Sequence, residues 1–181
     1  MPLICKEFPR VLRNFFMATW YSLSLLIHLI ALALWLGGMV FFLVVLGPAV
    51  HELEPRIAIM TLNQGRLGLE AVSWIAIGLL LLTGVLNLLA RVPLAGAELG
   101  VSYLILFGIK LFIFAVMVVD HCLQVFRYAP KIAGEIAQRP SATSFWPEPL
   151  LSYWRGWFLL LKINAALGPI AVLLGLALTQ S

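Results

Sequence analysis

Two ionisable side chains, His28 and Lys110, lie inside long apolar stretches of the chain. Ionisable groups in hydrocarbon are costly, and those that occur usually line a cavity, pair with another group or bind a ligand. With a rise of about 1.5 Å per residue, both lie about 5–6 Å from the midpoints of their stretches, on the same side. Imidazole binds copper and haem iron. We therefore expect a cofactor site in which His28 is a metal or haem ligand, faces Lys110, and shares its helix face with Trp35.

A second set of metal-ligand side chains lies toward the opposite membrane surface. Asp120, His121 and Cys122 come near the end of the third apolar stretch, and His51 follows the first. Imidazole, carboxylate and thiolate are ligands for zinc and copper, so these four residues are candidate metal ligands. No close spacing of the Cys-x-x-Cys kind joins them, and Asp120 has an alternative partner at similar depth in Lys162.

The elements that must position these residues are membrane-spanning helices. Of the 181 residues, 62% are hydrophobic and 11% are charged, whereas soluble domains carry roughly 25% charged residues. A span needs about 20 mostly apolar residues, and a chain in hydrocarbon must satisfy its own backbone hydrogen bonds. The sequence thus predicts an all-α fold, a single transmembrane four-helix bundle over residues 1–181, with spans at about 19–48, 69–90, 101–127 and 156–178.

Four spans place both termini and the 91–100 loop on one side of the bilayer, side A, and residues 51–68 and 127–156 on the other, side B. The four Lys and Arg residues on side A and the six on side B are too evenly shared to set the orientation. Prolines and aromatic residues in 127–156 predict an irregular segment along the membrane surface. Residue identities reveal no internal repeat, and no clustered basic patch indicates nucleic-acid binding.

Parts of three spans resemble a known family. Residues 28–38 (HLIALALWLGG) and 46–48 (LGP) resemble the first helix of the copper resistance protein D (CopD) family. Residues 74–84 (WIAIGLLLLTG) resemble its next helix, and Lys110 followed by His121 resembles the corresponding helix of small CopD-like proteins. The resemblance implies a four-helix domain of the bacterial inner membrane that handles copper, with histidine as a ligand.

The pair formed by His28 and Lys110 is also similar to the HemJ type of protoporphyrinogen oxidase, which would imply haem b. His28 and His121 differ in depth by about 18 Å, which excludes one haem held by both. Three hypotheses follow: a CopD-like protein for copper or other metals, a haem-binding membrane redox protein or enzyme, and a non-catalytic subunit of a membrane complex or homo-oligomer. All three place the chain in a lipid bilayer, and whether it is an enzyme stays open.

Overall fold

A computed structural model describes the backbone of residues 4–94, 100–138 and 146–180, and the side chains of residues 19–90, 100–138 and 146–178. These ranges are helical almost throughout and contain no strand, which confirms the all-α prediction. In chain order the elements are α1 (Ile4–Phe41), a π-helical turn (Phe42–Leu46), α2 (Gly47–Ala49), a 3₁₀ turn (Val50–Glu52), α3 (Pro55–Leu94), α4 (Val101–Leu123), a second π-helical turn (Gln124–Tyr128), α5 (Ala129–Gln138) and α6 (Glu148–Gln180).

In the described part of the chain, four helical segments are long and apolar enough to cross a membrane: Thr19–Glu52, Pro55–Ala90, Val101–Gln138 and Glu148–Leu178. Large apolar side chains cover their outer surfaces, among them Leu34, Ile75 and Phe112. Lipid tails are the solvent that such surfaces require. The protein is therefore an integral membrane protein, a bundle of four transmembrane helices.

Three helices extend farther toward side B than the predicted spans. The second begins at Pro55 rather than near residue 69, the third continues to Gln138, and the fourth begins at Glu148. An apolar run marks the part of a helix that lies in hydrocarbon, and a helix can continue beyond it with polar residues. Most of 51–68 is thus helical, and the helices in part of 127–156 correct the prediction of an irregular segment there. Residues 139–145 lie outside the described chain.

The bundle consists of two helical hairpins. In the first hairpin α1 packs along α3, and in the second α4 packs along α6. The hairpins also meet where α1 contacts α6, and there Leu36 fills the space that a Cβ on Gly168 would need. The interior contains large side chains that are almost fully buried: Trp35, Met39, Phe42, Met117, Trp154, Trp157 and Leu161.

Candidate functional site

His28 is held by a hydrogen bond to the neighbouring helix of its own hairpin. Its Nδ1 lies 2.8 Å from the Thr83 hydroxyl oxygen. That hydroxyl also lies 2.6 Å from the Leu79 carbonyl oxygen, to which its single proton must be donated. The hydroxyl oxygen can then only accept from the imidazole, so neutral His28 carries its proton on Nδ1. The Nε2 lone pair is left available, as it is in metal-bound histidines whose other nitrogen donates to a neighbouring group.

The surroundings of His28 combine small and polar residues. The Ser24 hydroxyl, one turn earlier on α1, lies 3.5 Å from the Thr83 carbonyl oxygen. His28 Cε1 lies 3.9 Å from the point that a Cβ on Gly84 would occupy. His28 itself is half-buried and points toward α3 rather than away from the bundle. Its side chain is therefore positioned by its contact with α3.

Lys110 lies against a different helix. Its Nζ is 3.4 Å from the point that a Cβ on Gly175 of α6 would occupy, so the glycine gives the amine room. Within residues 19–90, 100–138 and 146–178 neither a hydrogen bond nor an ion pair involves Lys110. That it faces His28 across the interior stays a prediction.

Trp35, the third residue of the predicted cofactor site, is in the core. Its side chain is 1% exposed, and its ring meets the edge of Phe114 with centroids 6.1 Å apart. Met39 follows Trp35 by one helical turn, and Met117 follows Phe114 by one turn on α4. The two methionines belong to the same buried core, and each is only 1% exposed. Sequence reasoning did not single them out, because scattered methionines carry no spacing signal.

His121 is buried on the inner face of α4. It is 2% exposed, and its ring centroid lies 5.0 Å from that of Trp74 on α3. Gln124, one turn later, is near its ring and donates to the Trp157 carbonyl oxygen at 3.4 Å. Asn164 of α6 donates to the Met117 carbonyl oxygen at 3.1 Å, one turn before His121. His121 thus lies where three helices meet.

The other predicted metal ligands do not join His121. His51 is exposed in the 3₁₀ turn, and Asp120 and Cys122 are half-buried, with Cys122 a free thiol. In the described part of the chain, no three or more His, Cys, Asp or Glu side chains are arranged to hold a metal ion. Asp120 and Lys162 form no ion pair there either. Lys162 is exposed, which allows its long side chain to reach the membrane surface.

A buried ion pair on α3 was missed by the sequence analysis. Arg66 Nη1 lies 2.6 Å from Glu70 Oε1, and the two side chains are 3% and 12% exposed. Asn63 Oδ1 accepts from Arg66 Nε at 3.3 Å and Nη2 at 2.9 Å. Trp157 lies close to Glu70, although its indole N–H makes no hydrogen bond of adequate geometry to the described residues. The pair could have been predicted from the sequence, because Arg66 and Glu70 have opposite charges and are four residues apart on a helix.

Comparisons of the chain with protein-family models, curated proteins and solved structures found no match. The side chains described above therefore carry the functional proposal that follows.

Proposed function

We propose that this membrane protein handles copper(I) as its cargo within the bilayer. The observation that carries the proposal is the burial of Met39 and Met117, two thioethers on α1 and α4 that are each 1% exposed and belong to the same core. Thioether sulfur is a soft ligand that favours Cu(I) over harder ions. The resemblance of residues 28–38 and 46–48 to the CopD family points to the same metal.

The two histidines extend this donor set along the bundle. His121 follows Met117 by one turn, about 6 Å toward side B, and His28 lies about 16 Å from the level of Met39 toward side A. Neutral imidazole and thioether suit a monovalent ion in hydrocarbon, because charged ligands would themselves be costly to bury.

Methionine also fills gaps in apolar cores without binding anything, and the experiment must separate the two roles. Purified protein is titrated anaerobically with Cu(I) against a chromophoric chelator. The double variant Met39→Leu/Met117→Leu keeps similar volume and should fold. We expect its Cu(I) affinity to fall at least tenfold. Met60→Leu is the control, because Met60 is 60% exposed on the outer surface. Equal affinity of the double variant and the control would refute the proposal.

Haem binding is the second candidate function, and the orientation of His28 favours it. A haem iron needs only one protein ligand, and His28 Nε2 is left available by the bond to Thr83. An optical spectrum with metal analysis of the purified protein distinguishes the two. A Soret band that disappears in His28→Ala would support haem, whereas bound copper without a Soret band supports the first proposal.

A further inference from the structure

The two hairpins contain the same local irregularity at corresponding positions. In the first, the π-helical turn Phe42–Leu46 is followed at the second residue by Pro48. In the second, the π-helical turn Gln124–Tyr128 is followed at the second residue by Pro130. The corresponding residues are 82 positions apart in the sequence: Phe42 corresponds to Gln124, and Pro48 corresponds to Pro130. Because π turns are rare inside α-helices, a matched pair is an unusual coincidence.

The returning helices match as well. Leu46 occupies the space over Gly65 of α3, and its counterpart Tyr128 occupies the space over Gly156 of α6. His28 lies over Gly84, and its counterpart Lys110, again 82 positions later, lies over Gly175. A shift of 91 positions relates both glycine pairs.

Among the described residues, the two hairpins therefore share this local geometry and run in the same direction across the membrane, although most residue types at equivalent positions differ.

This correspondence relates two buried polar residues near the middle of the bundle. Ser73 on α3 and Asn164 on α6 are equivalent by the same 91-position shift. They are 1% and 0% exposed. Ser73 Oγ and Asn164 Oδ1 each lack a hydrogen-bond partner among the described residues. An unsatisfied buried polar atom is uncommon and indicates a bound group, and binding sites of repeat-built membrane proteins lie at the interface of the repeats.

Toward side B, three more buried polar atoms make no hydrogen bond of standard geometry within the described ranges: His121 Nε2, Trp154 Nε1 and Trp157 Nε1, the last of which lies close to Glu70. Asp120 Oδ2 on α4 and Trp35 Nε1 on α1 are unpartnered among the described residues as well. Contacts link parts of the group: the Trp154 and Trp157 ring centroids are 5.5 Å apart, and Asn164 is bonded to the backbone one turn before His121. Ser73 is next in the chain to Trp74, whose ring centroid lies 5.0 Å from that of His121. From Trp157 to Asn164 the group extends about 10 Å along α6.

The mixture of donors and acceptors defines the ligand. Indole N–H groups of Trp154 and Trp157 can only donate, Asn164 Oδ1 can only accept, and the Ser73 hydroxyl can do both. A bare cation would leave the indoles unsatisfied, and an anion would leave the amide oxygen unsatisfied. We propose that these atoms line a file of water molecules that enters from side B between the two hairpins and reaches the middle of the membrane.

The file ends at an apolar layer. Toward side A of Ser73 the inner face of the first hairpin carries Ala31, Ala76, Ile77 and Leu80, all 5% exposed or less. Such side chains offer water no hydrogen bonds, so the file is a half-channel rather than a pore. This inference shares His121 with the copper proposal but does not depend on it, because Ser73, Trp154 and Asn164 have no part in the copper donor set.

Whether Ser73→Ala lowers or raises the melting temperature Tm tests the proposal. Ser73→Ala removes the lining hydroxyl, Ser24→Ala removes a buried hydroxyl that has a protein partner, and Ser152→Ala changes an exposed one. If water binds Ser73, we expect Ser73→Ala to lower Tm by about 2–4 °C through the loss of one hydrogen bond, and we expect a similar fall for Ser24→Ala. An unchanged or raised Tm, with Ser152→Ala as reference, would overturn the proposal.

Nuclear magnetic resonance provides a direct second test. The protein is labelled with ¹⁵N-tryptophan in detergent micelles, and each indole signal is assigned with a Trp→Phe variant. Trp154 and Trp157 are only 2% and 0% exposed. We nevertheless expect their indole protons to show cross-peaks to water. Absence of these cross-peaks would overturn the water file even if Ser73→Ala were destabilising.

Discussion

His28 Nδ1 and Thr83 Oγ1 lie 2.8 Å apart, a side-chain hydrogen bond that joins α1 to α3 within the membrane. Since Thr83 donates its proton to the Leu79 carbonyl oxygen, the bond fixes the proton of neutral His28 on Nδ1 and presents Nε2 as a ligand atom. The hydroxyl of one residue thus determines which nitrogen of the other can bind a metal.

Replacing Thr83 by valine should release this constraint. Thr83→Val removes the acceptor while keeping the branched shape, so we expect His28 to populate both neutral tautomers and the protein to lose about 1 kcal/mol of stability. ¹⁵N-histidine spectra report the tautomers directly. Thr83→Ser keeps a hydroxyl and should retain the single tautomer. A Thr83→Val spectrum identical to wild type would show that the bond does not set the tautomer.

Removing one partner of the Arg66–Glu70 pair should cost more stability than removing both. Both side chains are nearly buried, so Glu70→Leu leaves an unpaired guanidinium and should destabilise the protein by roughly 3–5 kcal/mol. The double variant Arg66→Met/Glu70→Leu should recover most of that loss. Denaturant unfolding in detergent gives both values, with Arg56→Met as the control for an exposed arginine. If the effects of Arg66→Met and Glu70→Leu on the unfolding free energy simply added in the double variant, the two side chains would not be coupled as a buried pair.

Asp120 and Lys162 should behave independently. They are not an ion pair in the described structure, and Lys162 is exposed. The effects on unfolding free energy of Asp120→Ala and Lys162→Met should therefore add to within about 0.5 kcal/mol in the double variant. If Lys162→Met instead recovered part of the stability lost in Asp120→Ala, the two side chains would form the ion pair that their similar estimated depth suggests.

Much of the fold is predictable from composition alone, since four runs that are apolar on every face leave the bilayer as their solvent. The helix ends are not predictable in this way, because polar residues such as Arg66 and Glu70 continue a helix by pairing with each other. The rise per residue along a helix predicts a similar depth for Asp120 and Lys162. It does not give the rotation of each helix about its axis. That rotation decides which side chains meet.

The candidate site was predictable to a similar extent. His28 is costly in hydrocarbon and was identified for that reason, whereas its partner Thr83 is a common residue in membrane helices. Only the packing of the helices shows that Met39 and Met117 belong to one buried core. The shared geometry of the two hairpins was concealed because equivalent residues, such as His28 and Lys110, share a position and a glycine neighbour but not a chemistry.

The coordination of bound copper tests the central claim most directly. X-ray absorption at the copper edge counts the sulfur atoms around the metal in anaerobically loaded protein. We predict thioether sulfur ligands in wild-type protein and in Met60→Leu, and their loss in Met39→Leu/Met117→Leu. A copper environment of nitrogen and oxygen alone in the wild-type protein, unchanged in the double variant, would contradict the role assigned to the two methionines.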